Sequence, residues 1–170
     1  GRELMSHKTA ALFTLTLMIC SVLTPSMAAQ GESFEDFKLR NIKGEVVDTA
    51  KLRKGKLLLV KMGATWCPPC REETKVFDRL RVKFTKKDLA IAEVFVYENA
   101  NVVEPHMKGH DFVDMLDITG TLVSKYDLEK KGIPLVMLVG LDGKIIIKHN
   151  SYIPYEPIAK EIENALKRRE

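Results

Sequence analysis

Two apolar runs dominate the middle of the chain. Residues 57–60 read Leu-Leu-Leu-Val, and residues 89–97 are rich in Val, Ile and Ala. That is the pattern of strands buried on both faces of a sheet. Ahead of them, residues 34–39 and 45–47 flank a turn at Asn41, Ile42, Lys43 and Gly44 and predict a β-hairpin. Residues 51–56 form a polar connector containing Gly55. Val76, Phe77, Leu80 and Phe84 recur at helical spacing and predict a helix over 71–83. A shorter helix is expected over 119–127, carrying Leu122, Val123 and Tyr126. Residues 135–139 and 144–148 predict two further strands, joined by the turn Leu141-Asp142-Gly143. A last helix is expected over 157–169, with Ile158, Ile162, Ala165 and Leu166 at core spacing and a basic final turn. Residues 98–118 are the least legible: Pro105 and Gly109 interrupt them, leaving room for one short helix and one short strand around 112–116. The order predicts an α/β fold, a central mixed β-sheet flanked by helices and opened by an N-terminal β-hairpin.

The first thirty residues follow a different pattern. Ser6, His7 and Lys8 follow Met5, residues 10–23 carry no charge, Pro25 ends the run, and Ser26-Met27-Ala28 offers small residues at a cleavage site. This is the layout of a secretory signal peptide over residues 1–28, leaving a domain of 29–170. Residues 1–4 precede the first methionine and read as an upstream start or a non-native extension. The apolar run is short for a membrane span of about 20 residues, so no stable membrane insertion is expected once the signal is cleaved; an uncleaved anchor is the alternative. The expected location is periplasmic or otherwise extracytoplasmic.

The net charge of +4 arises from basic residues spread along the chain, without a zinc-finger, basic-zipper or RNP-like pattern. Solvated helix faces explain them better than nucleic acid does. Export matters more for the cysteines. Cys20 would leave with the signal, and the mature chain would keep only Cys67 and Cys70. A bridge closing so small a loop constrains the unfolded chain little, so a structural staple is a poor reading. A Cys-Pro-Pro-Cys run at a strand-to-helix junction instead places Cys67 where unpaired amides and the macrodipole favour a thiolate. Such cysteines have pKa values of roughly 3.5 to 7.5. A thiolate there attacks a client disulfide, and the second cysteine displaces the client. Pro69 suits a first helical turn, Pro68 stiffens the loop, Arg71 adds positive charge, and Trp66 offers an apolar cover. The competing reading is half a zinc site, which needs two further ligands that no cysteine supplies.

From residue 34 to the C-terminus the chain resembles the TlpA/ResA-like branch of thioredoxin-fold proteins. The resemblance rests on the run 57–71 with Ala64-Thr65-Trp66-Cys67-Pro68-Pro69-Cys70-Arg71, and on the leading hairpin. It extends through Lys54-Gly55-Lys56, Gly132-Ile133-Pro134 and Leu141-Asp142-Gly143-Lys144. It implies a thioredoxin-like fold, an exposed attacking thiol at Cys67 and a buried resolving thiol at Cys70. It also implies a cis-proline at Pro134 facing the pair, with the Ile133 backbone docking substrate as an added strand. The implied activity is thiol–disulfide exchange without a cofactor, leaning toward reduction of disulfides in exported clients. Apocytochromes c during haem attachment are one such client class, and a membrane or soluble thiol supplies the electrons.

Two features depart from that family. Six residues before Cys67, where thioredoxins often have Asp and TlpA-like proteins often Asn, this chain has Lys61. While charged, Lys61 cannot act as a base; it either favours thiolates electrostatically or snorkels to solvent. The segment between Tyr97 and Thr119 is also shorter than the family's usual central stretch. His106 and His110, four apart and able to share a helix face, raise a second function class: a copper-delivery module using them with Cys67 and Cys70. A peroxidase on this fold expects a lone peroxidatic cysteine, an arrangement absent here.

Overall fold

In the computed structural model, which describes residues 31–168, the two apolar runs lie side by side at the centre of one sheet. Strand β3 (Leu57–Gly63) pairs in parallel with β4 (Leu89–Val96), and every residue of both is buried. Burial on both faces is why neither strand alternates in polarity. Along β3, Leu58, Val60 and Met62 enter one core, while Leu57 and Leu59 enter the other. Strand β5 (Val113–Asp117) adds in parallel beyond β4. Strand β6 (Leu135–Val139) runs antiparallel on the other side of β3, followed by β7 (Ile145–His149). The predicted hairpin is present but short, β1 (Lys38–Arg40) and β2 (Val46–Asp48), and it joins through β1 and β5. Among the described residues the sheet therefore has seven strands in the order β2-β1-β5-β4-β3-β6-β7.

The polar connector contains a helical turn, α1 (Thr49–Leu52), capped by Asp48, which the sequence did not suggest. The principal helix α2 (Pro68–Lys83) begins one turn earlier than apolar spacing predicted, because the motif itself forms that turn. It packs Val76, Phe77 and Leu80 on the face that also carries α6 (Tyr155–Lys167), through Ile158, Ala159 and Ile162. The opposite core takes Leu122 and Val123 of α4 (Thr121–Tyr126) and Leu128 of α5 (Leu128–Lys131), a short helix not foreseen. The obscure segment resolves into α3 (Ala100–Met107), capped by Asn99, followed by β5. Among the described residues no helix is long and apolar enough to cross a membrane. The signal-peptide segment lies outside the described residues.

The register fixes where the chemistry sits. β3, β4 and β6 meet so that Gly63 lies opposite Phe95 and Met62 opposite Leu135. The residues that follow β3 and those that precede β6 therefore share one end of the sheet.

Candidate active site

At that end the chain leaves β3 through Ala64, Thr65 and Trp66 and enters α2 at Cys67. Cys67 is the N-cap: its backbone is extended (φ −86°, ψ 111°), Pro68 opens the helix, and its sulfur accepts from the Cys70 amide at 3.3 Å. The sulfur thus stands in for the oxygen of an ordinary cap and satisfies one of the free amides at the helix start. Cys67 and Cys70 are joined as a disulfide with Cα atoms 5.2 Å apart. Across the gap, the Ile133–Pro134 peptide is cis and the Ile133 carbonyl lies 3.9 Å from the Cys67 sulfur. Pro134 is buried and Ile133 half-buried.

The expectation of an openly exposed Cys67 needs correction. In the disulfide Cys67 is only 4% exposed and Cys70 1%. The order of accessibility is the expected one, but bonding to Cys70 and the Ile133 carbonyl opposite leave Cys67 little open surface. Trp66 is 67% exposed, so its indole faces solvent and is free to meet a docking chain. Pro68 and Pro69 are exposed on the helix end. Arg71 is exposed and donates to the Thr65 carbonyl at 3.3 Å, tying the loop to the helix rather than reaching the sulfurs.

The loop is held from the neighbouring strand. Glu98, just beyond β4 and 7% exposed, accepts from the Thr65 amide at 2.8 Å and from the Thr65 hydroxyl at 2.6 Å. These two bonds fix the residue two places before Cys67. Gly63 supplies room from below: a β-carbon there would stand 3.0 Å from the Cys70 sulfur and 3.2 Å from its β-carbon. The Gly63→Ala variant is expected to lose about 2 kcal/mol of stability through overpacking. Thermal unfolding of the oxidised and reduced forms checks this, with the larger loss when the disulfide fixes Cys70.

Lys61 does not snorkel. It is wholly buried, and its ammonium donates to the Cys70 carbonyl at 2.8 Å and the Thr74 hydroxyl at 2.6 Å while pairing with Glu93 on the adjacent strand. Burial pulls its pKa below the ordinary lysine value, with the Glu93 carboxylate opposing. The snorkelling alternative fails because α2 covers β3 at this point, closing the way to water.

The buried acids Glu73 and Glu93 and the polar Thr74 were not foreseen, although a signal existed. Glu93 interrupts an otherwise apolar strand, and Glu73 falls at core spacing from Val76 and Phe77. Its Oε2 accepts from the Ile153 amide at 2.8 Å, its Oε1 has no partner, and burial pushes its carboxyl up to about 7.

The histidines are not set for metal. α3 ends at Met107, so His106 and His110 do not share a helix face, although their rings lie 5.9 Å apart. His110 Nδ1 is 2.8 Å from Asp78, and His106 Nε2 is 3.9 Å from Glu93. Among the described residues no group of three or more His, Cys, Asp or Glu side chains is placed to hold a metal ion. The copper alternative therefore finds no support.

A family model described as Redoxin matches residues 29–166. The chain belongs to the Redoxin family. Among its relatives, thioredoxin-like protein YneN of Bacillus subtilis is 31% identical over 104 residues, covering 61% of this chain and 56% of YneN. The chain thus matches little more than half of that relative's length. Thiol-disulfide oxidoreductase ResA of Halalkalibacterium halodurans is 25% identical over 144 residues, 81% of this chain and 78% of ResA. Among solved structures, StoA from Bacillus subtilis aligns with a TM-score of 0.60 at 25% identity, covering 76% of this chain and 96% of StoA. A DsbE-type interchange protein from Chlorobium tepidum reaches 0.70 over 81% of this chain and 97% of its own, at 23% identity, which speaks for the fold. Fold and relatives place this Redoxin-family chain in the thioredoxin-fold, TlpA/ResA-like group, and the Cys67–Cys70 site is a thiol–disulfide oxidoreductase site.

Proposed function

We propose that the protein is an extracytoplasmic thiol–disulfide reductase that opens disulfides in exported client proteins. The observation that carries this reading is the Cys67 sulfur at the head of α2, receiving the Cys70 amide and facing the Ile133 carbonyl. A client strand laid against the Ile133 backbone would bring its disulfide to Cys67. The Cys67 thiolate attacks one client sulfur and releases the other as a thiolate. Cys70 then attacks Cys67, frees the second client sulfur and closes the intramolecular disulfide. Two electrons pass to the client, and an external thiol partner must return them.

Reductase and oxidase share this geometry and differ in potential. A reductase requires a potential well below the roughly −120 mV of a strong periplasmic oxidase. Equilibration with glutathione followed by alkylation measures it, and a value near that oxidase would reverse the direction. Support for location comes from the signal-like residues 1–28 and from the absence of other cysteines in 29–170. Clients are found with the Cys70→Ala variant, which lacks the resolving thiol. Expressed with its natural leader, it should accumulate mixed disulfides on Cys67, with exported proteins such as apocytochromes c among them. Failure to trap any partner would remove the client-reductase reading.

A further inference from the structure

At the reacting end of the sheet, one aromatic residue is held in a conformation that its burial does not explain. Tyr97 follows the last residue of β4 with φ 58°, a left-handed backbone that disfavours a bulky side chain. Its amide donates to the Asp117 carbonyl at the end of β5 at 3.0 Å, and its hydroxyl donates to Glu129 of α5 at 3.1 Å. The ring rests on Gly120, where a β-carbon would stand 2.6 Å from Tyr97 Cζ, so only glycine leaves room for it. Yet Tyr97 remains 56% exposed. A hydrogen bond to a solvent-facing carboxylate contributes little to stability, and less than half of the residue is covered. Strained residues persist where their surroundings hold them in place, and they cluster at active sites and ligand clamps.

Its position ties it to the exchange site. The next residue, Glu98, holds the Thr65 amide and hydroxyl two places before Cys67. Its hydroxyl partner lies on α5, which leads through Gly132 into Ile133. Trp66, Tyr97 and Ile118 follow the ends of β3, β4 and β5, three adjacent strands, and each is more than half exposed. Asn99, Thr119 and Thr121 beside them are exposed and uncharged. Exposed apolar groups gathered at one place mark an interaction site. Because Cys67 is so little exposed, a client sulfur reaches it only if the polypeptide flanking the client cysteine lies over this end of the sheet. Main-chain pairing at Ile133 gives that polypeptide affinity without reading its sequence, so selection falls to side chains. We propose that Tyr97, flanked by Trp66 and Ile118, determines specificity by receiving an apolar or aromatic side chain of the client near its cysteine. Adjacent strands lie about 4.8 Å apart and an extended chain advances about 3.3 Å per residue, which puts that side chain roughly two to four residues from the cysteine.

This role rests on the client-reductase reading, and one set of peptides separates the two. Each peptide carries an internal disulfide in a serine-rich sequence, with a single phenylalanine at a varied distance before or after one cysteine. Reduced protein is mixed with rising concentrations of peptide, alkylation stops the exchange, and mass analysis counts the peptide thiols released. In the wild type, phenylalanine at one register should raise the rate at low peptide concentration about tenfold over the all-serine peptide, the scale of one aromatic pair. The gain should lie in the half-saturating concentration and leave the plateau rate unchanged. Tyr97→Gly should abolish this preference, whereas Tyr97→Phe keeps the ring, loses the Glu129 bond and should retain it. Tyr97→Gly should melt close to the wild type, because glycine relieves the left-handed strain while freeing the unfolded chain. Equal reduction of every peptide by the wild type would overturn the proposal and leave the reductase reading standing. So would a preference that survives in Tyr97→Gly, or an equal slowing of all peptides by that variant, the mark of a merely structural role. A wild-type dimer that Tyr97→Gly dissociates in sedimentation would assign the surface to a second copy of the chain instead. If the wild type reduces no peptide, both readings fail.

Discussion

Replacing Cys67 by Ser should lower turnover of a disulfide substrate by roughly 10⁴-fold or more, the scale on which loss of an enzyme's nucleophile acts. A hydroxyl at this N-cap still accepts the Cys70 amide, so the start of α2 survives and the variant folds. What is lost is the sulfur that faces the Ile133 carbonyl. The Cys70 sulfur does not replace it, because Cys70 is 1% exposed, packed against Gly63 on the sheet side of the helix. A turnover assay with insulin as the disulfide substrate, run beside thermal unfolding, checks the claim. Near-normal melting with no turnover is expected. Residual activity above a few percent would move the nucleophile elsewhere.

The second large effect concerns stability and arises from Glu73. Its carboxyl is fully buried, and desolvation raises its pKa from 4.5 to about 7 in the folded protein, while Lys61 and the Ile153 amide pull the other way. Between those two values the folded chain keeps a proton that the unfolded chain has lost, so stability from this group falls as pH rises through the window. Above about pH 7 the ionised carboxylate costs the fold about 3 kcal/mol relative to its protonated form. Glu73→Gln should cancel that loss. The amide oxygen can keep the Ile153 bond, and the unpartnered Oε1 position takes an N–H in the variant as it takes an O–H in the protonated acid. The variant should therefore match the wild type near pH 4.5 and exceed it at pH 8, with a melting temperature higher by roughly 10 °C. Denaturation at both pH values checks this. A constant difference between variant and wild type would show that Glu73 does not titrate in this window.

Much of this was legible in the sequence, for definite reasons. The central strands were readable because 57–60 and, apart from Glu93, 89–96 are apolar on both faces, as a doubly covered sheet requires. The catalytic pair was readable because its chemistry is local, a capping sulfur and a proline at the first turn, whereas the cis-proline followed from the family resemblance and not from Gly-Ile-Pro before a strand. Two short helices escaped, each formed by a single turn that tertiary contacts hold. In α1, Thr49 is buried and receives the Phe37 amide on its hydroxyl, an interaction twelve residues apart that no local pattern reports. Apolar spacing put the start of α2 a turn late because it begins only after the motif, while the motif's own chemistry, a capping cysteine and a proline in the first turn, pointed to the earlier start that is observed. The polar floor of the site was invisible for a different reason. Lys61, Thr74 and Glu93 come together only when β3, β4 and α2 pack, so Lys61 alone left two opposite fates open. Glu98 likewise reaches Thr65 across thirty-three residues.

The central claim is that Cys67, and not Cys70, is the reacting sulfur, activated by its place at the head of α2. Brief alkylation of the reduced, folded protein in slightly acidic buffer, followed by mass mapping of the two cysteines, tests it directly. The label should fall on Cys67 alone, with Cys70 reacting only after denaturation. Label on Cys70 first, or equal slow labelling of both at the rate of an unperturbed thiol, would contradict the account.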